Sequence, residues 1–169
     1  MVVYISVLIF SVINGLFYDK NHRSGPFLEN LFLFLIFAVL FIISGFRYNV
    51  GIDYSAVYYP VFFQILKTGN YENIEKGYVV INKVLQLFTN DPQSIFIFVS
   101  FFFILLIIFS IRQVNGRGKS TVALSVFIFV AGGFYFYSFN VMRQCLTIAM
   151  FIYSIRFIKE KRFFPYLII

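Results

Sequence analysis

Apolar residues run along this chain in long unbroken blocks, and polar residues gather between the blocks rather than alternating inside them. About twenty consecutive apolar residues let a helix cross the hydrocarbon core of a bilayer, so the pattern predicts an all-α, polytopic bundle of membrane-spanning helices. Residues 2–18 form the first block, interrupted by Ser6, Ser11 and Asn14; with neither a basic leader nor a small-residue cleavage site, it is expected to stay as a span. A loop with Asp19, Lys20, His22 and Arg23 follows, Gly25-Pro26 punctuates the chain, and a second span runs from Phe27 to about Phe46. Pro92 introduces a third span at 94–111, and the fourth and fifth are expected at 121–139 and 140–158. Residues 163–169 read as the start of a sixth span, which predicts that the chain is the amino-terminal part of a longer protein with one transmembrane domain over 1–169.

The interval 47–91 breaks this pattern, being polar and aromatic with no block that spans. Residues 54–66 and 77–88 are predicted as short helices lying in the interface, because Val80, Val84 and Leu87 share a face while Asn82, Lys83 and Gln86 lie elsewhere. Pro60 must kink or start the first of them. In the fourth block, Gly132-Gly133 is expected to admit a close neighbour, and Phe134, Tyr135, Phe136 and Tyr137 suit the level of the lipid headgroups.

Composition strengthens this reading: 60% of the 169 residues are hydrophobic, 22% aromatic and only 12% charged, outside the range of soluble domains. The net charge of +7 does not point to nucleic acid, because the basic residues sit mostly in short loops. Lys and Arg number two, three and four in the first, third and fifth loops against four and one in the second and fourth. The excess places the odd loops in the cytoplasm, and the amino terminus and the 47–91 loop outside. Cys145 is the only cysteine, which excludes an internal disulfide and a thiolate metal cluster; no cofactor or metal is implied. His22 has no ligand partner nearby and reads as solvated. Gly118-Lys119-Ser120 resembles the end of a phosphate-binding loop, but Gln113 replaces the first glycine and no strand precedes it.

Two clusters carry candidate chemistry. In the first, Arg47 and Asp53 flank Gly51, whose backbone freedom lets the loop fold back and present both charges to one place. Arg47 at a helix end is equally a membrane anchor, and Asp53 stands where an N-cap for the Tyr54 helix is expected as well as where a general base could act. Tyr48, Tyr54, Tyr58 and Tyr59 are ordinary belt residues by default and an aromatic sugar-binding groove by alternative. In the second cluster, a helix beginning near Phe139 puts Asn140, Arg143, Gln144 and Thr147 on one polar stripe. Arg143 can snorkel to the interface, but its amide neighbours favour a functional role. Glu75, ahead of Gly77-Tyr78, reads as a loop charge.

With these residues in view, the chain resembles the EpsG family of exopolysaccharide proteins, relatives in outline of Wzy-type polymerases. Three stretches carry the resemblance: Arg47-Tyr48-Asn49-Val50-Gly51-Ile52-Asp53-Tyr54, Glu75-Lys76-Gly77-Tyr78 with Asn82, and Phe139-Asn140-Val141-Met142-Arg143-Gln144. It implies a bacterial cytoplasmic-membrane protein that joins polyprenyl-pyrophosphate-linked glycan units outside the cell, alongside other polysaccharide-assembly proteins. It implies catalytic roles for Arg143, Arg47 and Asp53, and substrate contacts from Asn140, Gln144, Tyr54, Tyr48, Gly51 and Glu75. Family members are about twice as long. The other reading is a non-catalytic flippase, carrier or assembly subunit, for which polar or broken helices near the midplane would be expected.

Overall fold

A computed structural model of the chain describes residues 2–21, 25–69, 74–115 and 121–161, and every regular element among them is a helix. The order is α1 (Val2–Asn21), α2 (Pro26–Gly45), a π-helical turn (Tyr54–Tyr58) running into α3 (Tyr59–Thr68), α4 (Lys76–Gln86), α5 (Gln93–Asn115), α6 (Val122–Ala131), α7 (Phe134–Tyr137) and α8 (Met142–Lys159). The expectations for His22, for Gly118-Lys119-Ser120 and for 163–169 lie outside the described residues.

Among the described residues three helices are long and apolar enough to cross a membrane: Val2–Asn21, Pro26–Gly45 and Gln93–Val114. They pack with α6 and α8 in the order α6, α1, α2, α5, α8. Ile36, Leu40, Ile104, Val126 and Ala149 fill the space between them. A second cluster, with Tyr54, Tyr58, Ile65, Tyr78, Phe96 and Met142, sits at one end and mounts α3 and α4 on α5 and α8.

The block at 121–139 is not one continuous helix. α6 has ten residues and stops at Gly132-Gly133, where Gly133 adopts φ 82°, a left-handed conformation that side chains resist. A Cβ on Gly133 would meet nothing within 4 Å, and one on Gly132 would meet the Ile128 carbonyl and the Phe134 ring of the adjoining turns, so the pair breaks the helix and lets it fold closely on itself, with no other helix brought near. Close approach occurs elsewhere, at Gly15, where an added Cβ would lie 2.7 Å from the Ala123 Cα. One turn later the Asp19 carboxylate accepts bonds from the Val122 and Ala123 amides at 2.9 and 3.1 Å, placing an anion at the start of α6.

One other expectation is revised. Tyr135 is fully buried and donates to the Leu40 carbonyl at 2.8 Å, so it ties α7 to α2 and does not face lipid; Phe134 and Tyr137 are exposed. Pro60 stands in the first turn of α3, as expected of a proline that starts a helix, and the wider π turn before it closes a bond from the Tyr59 amide to the Tyr54 carbonyl, which accommodates a ring that crowds the preceding turn. In α4 the buried face is Tyr78, Val79 and Asn82, and Val80, Val84 and Leu87 lie together on the exposed side.

Candidate functional site

The site is built where α2 ends. The chain leaves α2 at Phe46 and turns back through Asn49 at φ 52° and Gly51 at φ 95°. A Cβ on Gly51 would lie 2.8 Å from the Phe139 carbonyl oxygen and 3.0 Å from Asn140 Oδ1, so glycine is needed both for its angle and for the fit. At this contact Asn140 Oδ1 accepts from the Ile52 amide at 2.9 Å.

That bond replaces the expected local cap. Asp53 makes no capping hydrogen bond and stays half-buried, because Asn140, 88 residues away, already serves an amide at the helix start. The favour is returned by Tyr58, whose hydroxyl donates to the Asn140 carbonyl at 3.0 Å and accepts from the Met142 amide at 3.1 Å. Each helix start thus has its free backbone groups satisfied by the other. Asn140 consequently lies in the turn before α8, not on the helix, and the polar stripe of α8 is Arg143, Gln144 and Thr147.

Arg47 locks the same junction from inside. Its guanidinium donates to the Ser44 and Phe139 carbonyls at 3.2 and 3.3 Å and lies over the rings of Phe96 and Phe139, 5.1 and 4.6 Å from their centroids. Only 6% of the residue is exposed. Burial pushes this guanidinium down to about 10, which leaves it charged at neutral pH. The structure therefore places Arg47 in the packing behind the loop, with no face toward solvent. Tyr54 and Tyr58 are buried too, which removes both from the belt; Tyr54 stacks on Phe96 at 4.4 Å and donates to Gln93 at 3.2 Å.

Arg143 is different. It is part-exposed, pairs with Glu75, and lies 5.9 and 5.4 Å from the ring centroids of Tyr58 and Tyr78. Glu75 is thus an ion-pair partner, not a free loop charge. With Glu75, Tyr78, Gln144 and Thr147, Arg143 lines a pocket of about 260 Å³. Tyr78 is buried there, and burial raises the proton affinity of its hydroxyl far above the ordinary tyrosine value, against the opposing effect of a hydrogen bond with the Asn82 side chain. Gln144 also borders an apolar groove of about 510 Å³ between α5, α6 and α8, walled by Phe103, Ile107, Ile128, Cys145 and Ile148. A third cavity, about 360 Å³, is lined by Tyr48, Tyr54, Tyr59, Asp91 and Gln93. No group of three or more metal-ligating side chains occurs among the described residues.

A family model, the EpsG family, matches residues 30–169. The chain belongs to the EpsG family. No curated protein and no solved structure matches it. Membership makes it a membrane protein of exopolysaccharide biosynthesis, in keeping with the three apolar helices. In this EpsG-family chain, the glycine loop and the start of α8 are the two halves of one clasp, and Glu75, at the entry to α4, adds an ion pair with Arg143 of α8. Sequence reasoning missed Gln93, whose amide nitrogen donates to the Gly45 and Arg47 carbonyls at 2.7 and 3.1 Å and closes the loop onto α5. Its only sequence signal was a position just after Pro92.

Proposed function

We propose that this protein polymerises polyprenyl-diphosphate-linked oligosaccharide units on the outer face of the bacterial cytoplasmic membrane. The bundle then contains five spans, with α6–α7 and α8 as the fourth and fifth, and the exposed Val80, Val84 and Leu87 face of α4 rests in the interface. The observation that carries the reading is that Gln144 borders both the Arg143 pocket and the apolar groove. A ligand with an anionic head and an isoprenoid tail fits that pair of surfaces, wrapping α8 at Gln144. The cavity of Tyr48, Tyr54 and Tyr59 offers aromatic faces and the Asp91 carboxylate to sugar units.

In the transfer, the acceptor hydroxyl attacks the anomeric carbon of the donor while the bond from that carbon to the phosphate oxygen breaks. The electron pair leaves with the lipid diphosphate, whose growing charge Arg143 stabilises through two charge-assisted hydrogen bonds. The hydroxyl proton passes to a carboxylate, for which Asp53, free of capping duty, is the candidate. Arg47 shapes the loop rather than touching substrate.

Glycan chain length in bacteria dependent on this protein tests the reading. Arg143→Lys keeps the charge and loses the planar fork, so it should lower polymer nearly as far as Arg143→Ala at matched protein level. Normal polymer from Arg143→Lys would make the residue an interfacial anchor and sink the catalytic role.

A further inference from the structure

Glu75 reaches Arg143 across 68 residues of sequence, from the entry to α4 to the first turn of α8, so the guanidinium already holds an anion supplied by the chain itself. The pair stands at the rim of the pocket, with the Arg143 side chain 27% exposed and that of Glu75 68% exposed. An ion pair this open to solvent is weak, so an anion that brings more charge and more contacts displaces its carboxylate. Gln144 and Thr147 line the same pocket, so a ligand there meets an amide and a hydroxyl beside the guanidinium. A single carboxylate serves only the guanidinium, whereas a diphosphate has enough oxygens for Arg143 and Gln144 together.

We propose that Glu75 is a resident competitor, whose carboxylate holds the anion position on Arg143 until the diphosphate of an amphiphilic ligand displaces it. The inference rests on the reading of this pocket as the diphosphate site. A lone carboxylate in solution offers Arg143 nothing beyond what Glu75 supplies, and so gains no advantage. A diphosphate brings more charge and a bidentate face, and only such a ligand releases Glu75. The contact therefore sets which anions the empty site admits.

Binding of farnesyl diphosphate to the purified full chain in lipid nanodiscs tests this, with inorganic diphosphate and farnesol as further probes. Glu75→Gln should bind farnesyl diphosphate about two- to fivefold more tightly than wild type, the range an exposed ion pair supports. Inorganic diphosphate should gain by a similar factor, and farnesol should gain nothing. The gain should vanish on the Arg143→Gln and Arg143→Ala backgrounds, where there is no cation to compete for. Unchanged or weaker binding by Glu75→Gln, while wild type binds, overturns the competitor and makes Glu75 a positioning residue for Arg143. A gain that survives loss of Arg143, or that extends to farnesol, overturns it as well. If wild type and Glu75→Gln both fail to bind farnesyl diphosphate, the diphosphate site itself falls, and the competitor with it.

Discussion

Arg47 and Arg143 show how two arginines at the ends of apolar helices acquire opposite employment. Arg47 spends its terminal donors on two carbonyls and covers its planes with Phe96 and Phe139, so its value is structural. Arg47→Met removes both bonds and leaves the Phe139 carbonyl without this donor, a loss of about 1–3 kcal/mol. Thermal unfolding in detergent should show a clear drop for Arg47→Met and almost none for Arg143→Ala, whose exposed pair with Glu75 contributes under about 1 kcal/mol. Gly51→Ala should behave like Arg47→Met, since a methyl group at φ 95° also meets the Phe139 carbonyl. Equal stability of all three variants would remove the clasp.

Among the elements, α8 and the helix that begins at the glycine loop cap one another. Tyr58→Phe deletes only one hydroxyl, yet it strips a partner from both the Asn140 carbonyl and the Met142 amide. It should cost about 1–3 kcal/mol and raise hydrogen exchange at the first turn of α8. No change in exchange at that turn would show that the hydroxyl is dispensable. Element positions were legible in the sequence because apolar blocks and proline act locally: α1, α2 and α5 fall where the blocks predict. The broken fourth block was not legible. Whether Gly132-Gly133 admits a neighbour or ends a helix depends on what stands opposite, and the close neighbour stands opposite Gly15 instead.

At the scale of the molecule, the bonds from Arg47 to Phe139 and from Ile52 to Asn140 bring the 47–91 segment and the start of α8 to the same end of the bundle, as the alternation of spans requires. The basic-residue count predicts that this end lies outside. In a Cys145→Ser background, Lys67→Cys should react with an impermeant maleimide from outside, and Lys159→Cys only after permeabilisation. The reverse pattern would invert the topology and move the proposed site to the cytoplasm. The sequence alone determined the membrane setting, the helical class, the family and which three stretches matter, because block length, composition and motif order are properties of neighbouring residues. Which motif residues line a pocket and which are buried in the packing was decided only in three dimensions. Arg47 turned inward, Asn140 became a cap and Glu75 found Arg143 because each is satisfied by a partner 68 to 92 residues away, and no local rule reaches that far.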